Sequence, residues 1–489
     1  MSADKNNPDN SSTYKMDEHD RKLYTHAETQ LAQFKAPVLV STNNPHEKLY
    51  IAAFDGTGND RTNPEMGQKT NVALIYEQVE NLRTKGHRQL AAGYVPGPGT
   101  QSGTIASTRD NISGHTYDAR LEEMYYKFIK QAKQWLDGDP KAQIRLADIG
   151  FSRGAEQAAG FARLVHERGI QDPQDVKITR GSDGLIQKLE FTKPPLVAAG
   201  KVPQVEGLFD PVGTGVPHAR DRRPPPSVIS GFMIKAEDEA RDQFPSTHIL
   251  DKGFTHGDRF LRVLTAGAHS DIGGGYHLDG LARRNGNLMI DYLNALSDKP
   301  FLTKLALAPE KEVIHRSEEH RFVYTTDVMQ KRIANGFDET QKRGFIESIG
   351  GNLADTSAAA RDAQPRDAQL NSQFERQAVR IGPVPERKDA REQEAQREDA
   401  AKPPAKAPKE KSFLDGLIDR LATGALEKDD ALMRSAVMEY QQSPQGQRFE
   451  REVAQLAQTQ AAQERQAALD AQQLSLQNTP ARGGQAMTM

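Results

Sequence analysis

Cysteine is absent from this 489-residue chain, tryptophan occurs once, and aromatic residues make up only 6% of the total. Without cysteine there is no disulfide, no thiol nucleophile and no cysteine-ligated zinc. Apolar residues reach 36%, too few for a chain packed around a core over its whole length, so a folded body with extended or polar segments is expected. No uninterrupted apolar run approaches the roughly 18 residues of a membrane span, and the opening MSADKNNPDNSSTYKMDEHDRK lacks the apolar centre of a secretory signal. Any export is therefore expected to follow a non-Sec route. The net charge of −3, with both signs abundant, gives no electrostatic case for nucleic acid.

What is present has a clear grammar. Four apolar runs each end in a Gly-rich loop that carries Asp, Ser or His: KLYIAAFDGTGN at 48–59, IRLADIGFSRG at 144–154, VEGLFDPVGTGVP at 205–217 and FLRVLTAGAHSDIGGGY at 260–276. Helical patterns lie at Val72–Leu82, Ala119–Leu136 and Ala155–His166. Strands alternating with helices predict an α/β fold, a mostly parallel sheet with helices on both faces, whose functional groups gather at the carboxyl ends of the strands. Residues 177–191 read as a hairpin around Gly-Ser-Asp-Gly, and the proline-broken HARDRRPPPSVISGFMI at 218–234 reads as a lid or a surface connection. The expected organisation is a mobile N-terminal arm over 1–46, the α/β body over 47–350, a charged Pro/Ala/Gln linker over 351–412 and a helical Gln/Ala-rich tail over 413–489.

Gly150-Phe151-Ser152-Arg153-Gly154 is a G-x-S-x-G between a strand and a small-residue helix. That context predicts a sharp elbow exposing Ser152 as nucleophile, with the N–H of Arg153 as one oxyanion donor. The loop after the first strand offers Gly56 or Thr57 as the second donor, with Asp55 shaping it. The Arg153 side chain is read as a salt-bridge partner that fixes the elbow, or as a phosphate contact. Asp210 and Asp271 are both candidates for the acid. His315, following Val313-Ile314, is the candidate base, with His269 and His320 as alternatives and His277 weaker. Asp-Gly-Thr after a strand also resembles the haloacid dehalogenase loop, but the second acid is missing, since Phe54 precedes Asp55.

Six ordered pieces, FDGTGN at 54, GFSRGA at 150, GLFDPVGT at 207, AEDEARDQFP at 236, AGAHSDIGGGY at 266 and VIHRS at 313, resemble the α/β-hydrolase catalytic domain of type VI secretion lipase effectors of the first family. The resemblance implies a serine esterase that cleaves membrane phospholipids through an acyl-enzyme. Ser152 would be nucleophile, Asp271 the orienting acid and His315 the base, with no metal or other cofactor required, although Asp-rich loops could hold calcium structurally. It also implies delivery as an antibacterial effector, a secretion-machine component docking on an N- or C-terminal segment, and an immunity partner. A type IV route also fits the Gln-rich tail. A catalytically idle hydrolase fold serving as an adaptor, and an Asp55-dependent phosphohydrolase, are the alternatives.

Overall fold

The computed structural model describes residues 9, 11–56, 59, 69–97, 116–181, 184–213, 220–239, 246–255, 257–317 and 363–384. The chain divides into two compact units, 1–397 and 398–489; the second, with the helical tail expected over 413–489, lies outside the described residues.

In chain order the elements are β1 (Thr13–Lys15), α1 (Glu18–Gln33), β2 (Lys35–Pro37), β3 (Glu47–Phe54), α2 (Asn71–Thr84), β4 (Leu90–Val95), α3 (Tyr117–Gly138), β5 (Gln143–Phe151) and α4 (Arg153–Arg168). They continue with β6 (Lys177–Arg180), β7 (Ile186–Glu190), β8 (Gln204–Phe209), β9 (Val228–Ala236), β10 (Gly253–Thr255), β11 (Phe260–Thr265), α5 (His269–Gly273) and α6 (Gly280–Asn294). After these come β12 (Val313–His315), α7 (Ala368–Asn371) and β13 (Arg376–Ala378).

Seven strands form one sheet in the order β10-β11-β9-β8-β5-β3-β4. Every pairing is parallel except β10 with β11. The two-residue side-chain period divides the core. Leu49, Ile51 and Ala53 of β3 join residues of α1, α2 and α6, whereas Tyr50, Ala52 and Phe54 join α3 and α4. Both faces are covered, which is why the strands read as continuous apolar runs rather than alternating ones. This is the α/β-hydrolase-like layering expected, and the helices at 71–84, 117–138 and 153–168 and the β6–β7 hairpin occur where the patterns put them. Among the described residues no helix is long and apolar enough to cross a membrane.

Three expectations are corrected. From residue 11 onward the supposed mobile arm is structured. Asp17 caps α1 in a reciprocal box with Asp20, Tyr24, Ala27 and Leu31 at helical spacing are buried, and β1 pairs with β12. Part of the supposed linker returns to the body, where β13 pairs with β2 and Leu370 and Val379 enter the core. The VISGFMI segment is neither lid nor surface connection: it lies within β9, buried between β8 and β11. Its prolines end before the strand begins, so they remove no ladder hydrogen bond from it.

Candidate active site

The elbow after β5 has the geometry its glycines permit. Ser152 sits at φ 60, ψ −130 between β5 and α4, a conformation that costs a residue with a Cβ about 1–3 kcal/mol. A Cβ on Gly150 would lie 2.3 Å from the Gly154 carbonyl oxygen, and one on Gly154 would lie 2.3 Å from that of Phe54. Only glycine lets strand, helix and the end of β3 approach this closely. The strained turn is held by its neighbours: the Ser152 amide donates to the Phe209 carbonyl at 3.1 Å, and the Ser152 carbonyl accepts from Val212 and Ala155.

The end of β8, beside β5 in the sheet, therefore meets the elbow directly. It carries Asp210, fully buried at φ 35. One Asp210 oxygen accepts from the Ala236 amide at 3.1 Å, and the other meets His269 Nδ1 at 2.7 Å. His269 is the first residue of α5, just beyond β11, and its ring lies 4.6 Å from that of Phe151, the residue before Ser152. The His269 amide donates to Glu239 at 3.1 Å. The structure thus gathers Ser152, Asp210 and His269, the last two carried as alternatives from the sequence, at the carboxyl ends of β5, β8 and β11.

His315 and Asp271 are paired too, but differently. His315 Nδ1 meets Asp271 Oδ1 at 2.7 Å, and His315 Nε2 meets Asp9 Oδ2 at 3.2 Å. The His315 side chain is fully buried and stacks on Tyr276 at 3.8 Å. Burial opposes its charge, but the charge and hydrogen bonds of Asp271 and Asp9 outweigh that and push its pKa up to about 9. Asp271 and Asp9 thus engage both ring nitrogens of His315, the expected base, and leave neither directed at Ser152, while Asp271, the expected acid, holds a histidine other than His269. His320 and Thr57 lie outside the described residues, and His277 bonds to Asp9.

Arg153 opens α4, so its N–H is among the helix's first amides, which have no acceptor within the helix. Its side chain is completely buried, which favours a role inside the elbow over contact with a substrate phosphate. The Gly56 amide donates to Asp55 Oδ1 at 2.7 Å, so it is turned away from the oxyanion role expected of it. Asp55 also accepts from the hydroxyls of Thr70 and Tyr94. It is an organiser of the loop, and its engaged oxygens argue against the phosphohydrolase alternative, which needs an open carboxylate. A further brace was invisible in the sequence: Arg222, from the basic cluster, forms a buried 2.7 Å ion pair with Glu156 in the first turn of α4.

Comparison with known proteins adds a resemblance over part of the chain. Residues 48–183 match the family model described as T6SS, phospholipase effector Tle1-like, catalytic domain. Over that span the chain resembles the Tle1-like catalytic domain. The Tle1-like match includes Asp55, Ser152 and Arg153 and ends before Asp210 and His269. No curated protein matches. Among solved structures, an uncharacterized protein from Pseudomonas aeruginosa is 16% identical, covering 85% of this chain and 65% of its own, with a TM-score of 0.35. A Tle1 effector bound to the VgrG spike of the type 6 secretion system is 20% identical over 47% of this chain and 51% of its own, with a TM-score of 0.27. Esterase 2 of Thermogutta terrifontis, in its apo form, is 14% identical over 53% and 88%, with a TM-score of 0.26. The chain thus spans less than two thirds of the length of the first two.

Proposed function

We propose that the chain is a lipolytic serine hydrolase that cleaves ester bonds of phospholipids, with Ser152 as nucleophile, His269 as base and Asp210 as the acid that orients it. The observation that carries this reading is a serine on a strained elbow whose neighbour Phe151 lies 4.6 Å from the ring of a histidine, the Nδ1 of that histidine being held by a buried aspartate. With Nδ1 directed at Asp210, Nε2 is the nitrogen that takes the Ser152 proton as Oγ attacks the ester carbonyl. The Arg153 N–H, at the positive end of α4, supports the oxyanion; His269 then returns the proton to the leaving alcohol, and water cleaves the acyl-enzyme.

The description of the Tle1-like model supports phospholipid as substrate and delivery as a type VI effector. A docking partner in the secretion machine and an immunity protein in the producer belong to the same reading. Purified wild type and Ser152→Ala, incubated with phospholipid vesicles and followed by mass spectrometry of the products, test it. Wild type is expected to release fatty acid and lysolipid and the variant neither; equal release by both would refute the assignment.

A further inference from the structure

We propose that Asp9 and residues 11–17 form a strap that positions the base, with a His315 imidazolium clamped between Asp9 and Asp271 as its buckle. The inference deepens the reading of His269 as base and rests on it.

The strap is tied at both ends. Thr13, Tyr14 and Lys15 pair in antiparallel register with His315, Ile314 and Val313. The Tyr14 hydroxyl donates to Asp238 Oδ1 at 3.0 Å, and Asp238 Oδ2 accepts from the Gly267 amide at 2.8 Å, two residues before His269. At the other end the Asp9 carboxylate accepts from the amides of His277 and Leu278 at 2.6 and 3.0 Å, from His277 Nδ1 at 3.0 Å and from His315 Nε2 at 3.2 Å. Burial opposes ionisation of Asp9, but the bonds from His315 and the two amides hold its carboxyl well below the usual range.

From the buckle the connection to the base is short. Asp271, which holds His315 Nδ1, also accepts the amides of His315 and Ala268 through Oδ2, at 3.0 and 2.9 Å. It thereby caps α5 from inside, and His269 is that helix's first residue. The following segment pulls in the same direction: the Ser317 hydroxyl and the His269 amide donate to the two oxygens of Glu239. A carboxylate only accepts, so a ring between two carboxylates must donate from both nitrogens and carry a positive charge. Facing it are Asp271 from α5, Asp9 from the strap and the Tyr276 ring, while His277 lies across Asp9 and the Arg316 guanidinium turns onto Tyr14.

Two measurements test the strap. In the Ser152→Ala chain, nitrogen-15 NMR of the imidazoles should show His315 protonated at both ring nitrogens up to about pH 8, and Asp9→Asn should move its titration clearly lower. With a chromogenic short-chain ester as substrate, Asp9→Asn should lower kcat by about 10-fold or more with KM within about twofold, because a base displaced by a fraction of an ångström loses its alignment. Asp9→Glu should recover part of that loss. The wild-type kcat should also fall as pH rises through 9, and in Asp9→Asn that fall should begin at lower pH.

An imidazole of His315 that titrates near 6.5 in the folded chain overturns the proposal, as does full kcat in folded Asp9→Asn. If Asp9→Asn does not fold, the NMR titration of the Ser152→Ala chain decides alone. Should Ser152→Ala retain esterase activity, the reading of the active site fails while the titration still reports on the buckle.

Discussion

Two histidine–carboxylate pairs lie at the same end of this sheet, and each closes at 2.7 Å through Nδ1. What separates them is the surroundings of the second nitrogen. The ring of His269 rests on Phe151, beside the serine elbow; His315 meets another carboxylate, Asp9, and is held as a cation. A short bond to aspartate therefore does not make a histidine a base. The neighbour of the remaining nitrogen decides whether the ring can accept a proton or is already committed to a charge.

The sharpest way to break this contrast is to remove each pair in turn. Asp210→Asn and His269→Ala should each lower ester hydrolysis by about 10³- to 10⁴-fold, measured as kcat/KM on a soluble ester with the melting profile as a check on folding. Fluorophosphonate labelling of Ser152 should slow in parallel. His315→Ala is expected to act first on stability: two buried carboxylates lose the cation between them, at a cost of about 3–5 kcal/mol, visible as a lower denaturation midpoint. If His315→Ala instead abolishes turnover with an unchanged midpoint while His269→Ala remains active, the two pairs exchange roles.

The elbow is legible in the sequence because its requirements are local. A strand, a helix of small residues and glycines on both sides of a serine are all readable within about fifteen positions, and Gly154 can be tested on that basis. Its Cβ would press on backbone oxygens of Phe54 and Asp55 at 2.3 and 2.4 Å, so Gly154→Ala should cost about 1–3 kcal/mol by overpacking and slow hydrolysis through displacement of Ser152. A Gly154→Ala chain with wild-type denaturation midpoint and kcat would show that the close approach is not needed. The choice of histidine was not local. AHSD places His269 and Asp271 two positions apart, and only the strand order, which sets β8 beside β5, shows that His269 belongs with Asp210. The supposed N-terminal arm failed for a related reason: α1 has few apolar residues, and its burial depends on a sheet face assembled from segments far along the chain.

A third pair of titratable groups, without any histidine, extends the comparison from catalysis to stability alone. Asp148 and Glu206 are register partners on β5 and β8, both fully buried, and none of their four carboxylate oxygens has a hydrogen-bond partner. Burial raises Glu206 to about 8 against the opposing charges of Arg259 and Arg163, and burial together with Glu206 raises Asp148. A carboxyl whose pKa is raised on folding stabilises the fold fully below its unfolded pKa, about 4.5 for Glu, and that contribution is lost as pH rises toward 8. His315 has the same sign in a later window, lost as pH rises from about 6.5 through 9. Glu206→Gln keeps the shape and cannot ionise, so between pH 5 and 8 the wild type should lose up to about 1.4 kcal/mol per pH unit relative to the variant. Chemical-denaturation midpoints at pH 5, 6.5 and 8 would show the two chains diverging; parallel curves would mean that the pair stays ionised and that its oxygens find compensation elsewhere.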